Sequence, residues 1–81
     1  MHWEYNKEPD TVNSFGFVYR ITHKKTKKAY IGCKQYFITR KKKKVESNWR
    51  VYTGSNKHLN EEIKRLGRKH FRFQIIGEYK N

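Results

Sequence analysis

Four residues in the first half of this chain could act together on a phosphate ester. Arg40 carries a planar guanidinium whose N–H groups match two oxygens of one phosphate and which stays charged at any ordinary pH. Tyr19 and Tyr30 lie on neighbouring strand-forming stretches and could present two phenolic hydroxyls to one pocket. Gly32 has no side chain, so a backbone or a phosphate can approach it closely. Phosphodiester hydrolysis needs an activated oxygen nucleophile, a cation for the developing charge and usually a metal ion. From residue types alone, the two tyrosines read more readily as strand aromatics and Arg40 as one basic residue among many.

The elements that must position them follow from local pattern. Phe17, Val18, Tyr19, Ile21 and Thr22 are strong strand formers, and Ala29–Cys33 reads as a second short strand. The polar run His23–Lys28 between them predicts a β-hairpin with a basic tip. Residues 35–46 lack Pro and Gly, which predicts a helix carrying Arg40 and the Lys41–Lys44 run. Its like charges at i, i+4 require tertiary support or a bound anion. Residues 47–54, with Trp49 and Tyr52, read as an ordered loop; both rings could stack on bases or anchor the loop. Leu59, Ile63 and Leu66 then mark a helix with Ser55 as N-cap and Gly67 as its stop, and Glu61 can pair with Lys64 or Arg65. Alternation of Phe71, Phe73 and Ile75 with Arg72 and Gln74 predicts a third strand reaching Tyr79. The expected class is α+β: a three-stranded antiparallel sheet with two helices in the order β-β-α-α-β. Residues 1–14 form an amino-terminal arm and residues 15–81 the core.

Eighty-one residues make one small domain. Only 35% of them are hydrophobic, but five Phe, six Tyr and two Trp supply large buriable rings. Twenty Lys and Arg against seven Asp and Glu leave a net charge of +13. Such an excess repels itself unless a polyanion is the usual partner, and nucleic acid is the leading candidate. No apolar run reaches membrane-spanning length, so no membrane partner is expected. Cys33 stands alone in an apolar stretch, which predicts a packed thiol in a reducing, cytoplasmic setting. His2, His23, His58 and His70 lack metal-ligand spacing and read as surface residues.

Phe17-Val18-Tyr19, ten residues, then Tyr30-Ile31-Gly32 resembles the paired signature of the GIY-YIG endonucleases. Arg40, ten residues past Tyr30, stands where homing-type members carry an essential arginine. Tyr52-Thr53-Gly54-Ser55 and the helix after it resemble phage-type members. The chain departs from the pattern with Phe17 in the first glycine's place, Gly16 standing one residue early. It departs again with Lys44 one turn after Arg40, where many members have His or Tyr.

The resemblance implies a metal-dependent DNA endonuclease core using Mg²⁺ or Mn²⁺, in the cytoplasm, or in the host cytoplasm if the chain is phage-encoded. Tyr19 would help deprotonate or position the nucleophile, Tyr30 would support that network, and Arg40 would bind the scissile phosphate. Gly32, Lys41, Lys43, Lys44, Arg50 and Lys57 are the expected DNA contacts. The family's metal-binding glutamate lies on a helix after the third strand; Glu78, at the strand end, is the carboxylate that could stand in, and plain solvation explains it more readily. The expectation is therefore a truncated core, or one completed by a partner subunit or a homo-oligomer. The rival expectations are a non-cleaving DNA-binding module on this scaffold and a basic protein that occupies a nucleic-acid enzyme.

Overall fold

A computed structural model of the chain describes residues 2–80; Met1 and Asn81, the outer ends of the arm and core ranges, lie outside the described residues. Five strands and one α-helix follow in order: β1 Gly16–His23, β2 Ala29–Gln35, β3 Phe37–Arg40, β4 Lys43–Glu46, α1 Lys57–Leu66 and β5 Phe71–Tyr79. Single 3₁₀ turns at Trp49–Val51 and Arg68–His70 lead into the segments after them.

The main sheet is antiparallel with the order β2-β1-β5. Period-two alternation turns Phe17, Tyr19 and Ile21 of β1 to one face, where Phe71 and Phe73 of β5 join them in the core. Tyr19 lies opposite Gly32 of β2, and Ile21 opposite Tyr30. Between Val18 and Tyr19 the pairing with β5 slips, leaving Ile76 as an extra, exposed residue beside Tyr19. A bulge of this kind re-aims the strand locally.

Helix α1 closes the core face with Leu59 and Ile63, both buried, as their i, i+4 spacing requires. Its N-cap is Asn56 and not the expected Ser55: the Asn56 side chain accepts a hydrogen bond from the Leu59 amide at 2.9 Å. The helix stops at Gly67, whose φ of 95° favours glycine, and whose amide reaches the Ile63 carbonyl. The ion pair on its surface joins Glu62, not Glu61, to Arg65.

The largest departure from expectation is residues 35–46. They form the β3–β4 hairpin, a separate two-stranded sheet, and not a helix, so the two-helix order β-β-α-α-β does not hold. The physical causes are readable afterwards. Phe37, Ile38, Thr39 and Val45 favour extended backbone, and Ile38 pairs directly with Val45. Five successive cations would stack on themselves in a helix, whereas the hairpin splays them into solvent. Lys41 and Lys42 make the turn at φ 51° and 63°, the positive-φ pair of a tight hairpin connection.

The hairpin is tied at its base. Tyr36 is wholly buried, its amide bonds the Phe15 carbonyl and its carbonyl accepts from the Ser47 amide. Ser47 Oγ donates to the Gln35 carbonyl at 2.6 Å. Trp49 packs edge-on against Tyr36 and Phe17 and is 2% exposed, so it anchors the core and is not available to stack on a base. The amino-terminal residues join the same core. Trp3 is buried, its indole N–H donates to the Trp49 carbonyl, and Glu4 makes a parallel bridge with Gln74 of β5.

Candidate active site

The pairing of β1 with β2 builds a cleft of about 280 Å³ lined by Tyr19, Tyr30, Gly32, Gly54, Ser55 and Asn56 among others. Tyr19 stands on the core face of β1, directly across from Gly32. A Cβ placed on Gly32 would overlap the Tyr19 ring, lying 2.5 Å from Cζ. The missing side chain is therefore what allows the Tyr19 phenol to lie against β2. A Cβ built on Gly54, which stands at φ 88° in the loop before α1, would lie 3.4 Å from the same hydroxyl.

Burial pushes the Tyr19 phenol above its ordinary pKa; the Tyr52 hydroxyl and the Cys33 thiol add to the rise, and the Ser55 amide N–H opposes it. At neutral pH this hydroxyl is a neutral phenol. It can hold a water and relay a proton, but it does not act as a standing phenolate. Tyr30 lines the same cleft from β2, half-buried, with the Lys28 ammonium 5.4 Å from its ring centre.

Strand parity places Lys34 on the face of β2 that carries Tyr30 and Gly32. Its ammonium sits over the Tyr52 ring at 4.2 Å, and the Tyr52 and Tyr19 rings meet edge-on at 6.0 Å. Two phenols, Tyr19 and Tyr30, and the Ser55 backbone thus border one cleft, and Lys34 and Tyr52 stand beside it without lining it. Asn60 secures the loop that carries Gly54: its side chain bonds Thr53 Oγ1 and the Gly54 and Asn56 carbonyls.

This arrangement on a β-β hairpin followed by a loop and helix agrees with the comparison of sequences. A family model described as "Putative endonuclease segE, GIY-YIG domain" matches residues 3–81. The chain belongs to the GIY-YIG endonuclease family. No curated protein and no solved structure gives a significant match.

The GIY-YIG signature residues Tyr19, Tyr30 and Gly32 come together in one cleft. Arg40 does not join them: it ends β3, is exposed, and is not among the residues lining that cleft. Lys41 occupies the hairpin turn, and Lys43 and Lys44 follow on β4, all exposed, with the Lys44 ammonium 5.0 Å from the Phe37 ring centre. Arg50 is held by Glu46 at 2.7 Å and lies over the Trp49 ring. Lys57 begins α1 and is exposed. Cys33 is exposed, not packed, because its parity on β2 is opposite to that of Gly32. His2 is half-buried and bonded to the Tyr52 carbonyl, a departure from a surface position.

A divalent cation, typical of GIY-YIG nucleases, has no fitting ligand set among the described residues. No group of three or more His, Cys, Asp or Glu is poised to hold one. Glu78 does not fit the part. Its Oε2 accepts from the buried Tyr36 hydroxyl at 2.6 Å and from the Asp10 amide at 2.9 Å, so it ties the amino-terminal segment to β5. Burial and that carboxylate together push the Tyr36 phenol far above its ordinary value.

Lys34 is the residue beside the site that sequence motifs missed, and its parity with Gly32 was the available signal. Tyr52, singled out in the sequence as a ring that could stack or anchor, packs edge-on against Tyr19.

Proposed function

We propose that this chain is a DNA endonuclease core that hydrolyses phosphodiester bonds at the Tyr19–Tyr30 cleft. The observation that carries this function is the Tyr19 hydroxyl: buried against Gly32, flanked by Tyr52 and the Ser55 amide, and open to a cleft beside which Lys34 lies over the Tyr52 ring. Tyr19 positions the attacking water and passes on its proton, Tyr30 shapes the opposite wall, and Lys34 neutralises charge on the phosphate in the transition state. The hairpin cations Arg40, Lys41, Lys43 and Lys44 grip the flanking backbone, together with Lys57, as point charges that position DNA without reading its sequence. Because GIY-YIG nucleases typically use a divalent ion, Mg²⁺ or Mn²⁺ is the ion to supply in the test.

Supercoiled-plasmid cleavage with Mg²⁺ or Mn²⁺ separates the roles. Lys34→Ala lowers the single-turnover rate by about 10²–10³-fold, the usual cost of one charge-stabilising donor. Arg40→Ala weakens DNA affinity and leaves the bound rate nearly intact. The reverse outcome assigns the scissile phosphate to Arg40.

A second function is favoured by one observation, the engagement of Glu78 with Tyr36 and Asp10. In that case the chain binds DNA on the same scaffold without cutting it. Salt-sensitive binding with a log–log slope of about −4 to −7 and no cleavage under either ion distinguishes it.

A further inference from the structure

We propose that the outer face of the main sheet, opposite the Tyr19 cleft, is a binding track for single-stranded DNA. The face is built by register. Arg20 pairs with Gln74 and Thr22 with Arg72 across β1 and β5, all with the parity opposite to Tyr19 and Ile21. Lys24 and Lys27 extend the row at the β1–β2 turn, where Lys27 is held at φ 66°.

These six residues line a shallow depression of about 330 Å³ to which no carboxylate contributes. It runs into a larger groove of about 580 Å³ that shares Arg20, Arg72 and Gln74 and is walled by Tyr5, Asn6 and Lys7. Two carboxylates reach this second groove, and each has a partner. Glu4 pairs with Arg72 at 3.2 Å, and Glu78 is bonded to Tyr36 and Asp10. Arg20 spends its Nε on Gln74 at 3.4 Å, which leaves its terminal nitrogens free for an anion.

A continuous trough with Lys7, Arg20, Lys24 and Lys27 unneutralised fits a polyanion. The apolar surface selects which one. Tyr5 is 43% exposed at one end of the groove and Ile76 46% exposed within it, and each offers a flat or greasy contact that only an unpaired base can reach. The outer strands of the three lie roughly 10 Å apart at the usual spacing, so the face is one strand of polyanion wide. Phosphates follow the Arg20–Lys27 row and one base stacks on Tyr5.

The test is fluorescence anisotropy with labelled dodecathymidylate in EDTA, where no cleavage can occur, so the outcome does not depend on the nuclease function. Tyr5→Ala weakens binding by about five- to tenfold, the low end of a lost base stack. The double variant Arg20→Ala/Lys27→Ala lowers the log–log salt slope by about 1.4, roughly 0.7 for each phosphate contact removed. Lys64→Ala, an exposed cation of α1 on the opposite side of the sheet, leaves binding at the wild-type level, and a duplex of equal length competes less well than the single strand. Matched circular dichroism and melting curves establish that each variant is folded. Unchanged binding in both outer-face variants overturns the proposal. So does an equal loss from Lys64→Ala, equal competition by duplex, or self-association through this face in sedimentation.

Discussion

Adding one methyl group at Gly32 should disable the site through Tyr19 without unfolding the protein. An ideal Cβ at Gly32 lies 2.5 Å from Tyr19 Cζ and 3.1 Å from Cε1. Carbon atoms in contact sit about 3.5–4.0 Å apart, so the ring must retreat by roughly 1 Å. A displacement of that size at a reacting group costs about 10²-fold in rate. Overpacking costs about 1–3 kcal/mol, of which reduced freedom of the unfolded chain returns about 0.4–1 kcal/mol. Gly32→Ala is thus expected to fold, with a lower melting temperature, and to nick supercoiled plasmid about a hundredfold more slowly. Because the loss runs through Tyr19, adding Gly32→Ala to Tyr19→Phe should slow the reaction little further. A Gly32→Ala enzyme with wild-type speed, or full additivity with Tyr19→Phe, refutes the role given to this contact.

Lys41→Asn with Lys42→Gly should stabilise the protein by about 1 kcal/mol in urea, since these residues suit the positive φ of the turn; a helix over 35–46 would instead lose stability. Leu59→Ala, at a nearly fully buried position, should cost about 2–5 kcal/mol by the same measurement. Both Tyr19 and Tyr36 keep their protons above the ordinary phenol value of about 10, so the unfolded state ionises first. Stability should hold below that pH and fall as pH rises above it, a drop that Tyr36→Phe reduces in alkaline thermal melts. Cys33, being exposed, should react with a thiol reagent in the native protein as fast as it does after unfolding.

Sequence pattern alone carries the elements whose periodicity is clean. The alternation Phe71, Phe73, Ile75 and the spacing Leu59, Ile63, Leu66 each admit one structure, and β5 and α1 form there. The β3–β4 hairpin was hidden because its turn is made by Lys41 and Lys42, which carry no turn signal of their own. With neither Pro nor Gly to interrupt residues 35–46, only the β-branched Ile38, Thr39 and Val45 spoke for strands. That single difference moves Arg40 from a helix facing the tyrosines to the tip of a basic arm. The place of Lys34 beside Tyr52 depends on register, which local pattern does not set. The burial of Trp3 was equally unreadable, because its partners Trp49, Phe17 and Phe73 are distant in the chain.

The proposed chemistry turns on one hydroxyl, and single-turnover plasmid cleavage by Tyr19→Phe isolates it. With Mg²⁺ or Mn²⁺ and enzyme in excess, the wild type should nick the plasmid. Tyr19→Phe should bind DNA equally well and nick it at least about 10²-fold more slowly, as expected for loss of a proton-relaying group. Equal rates for the two proteins, or no nicking by the wild type under either ion, contradict a hydrolytic site at the Tyr19 cleft.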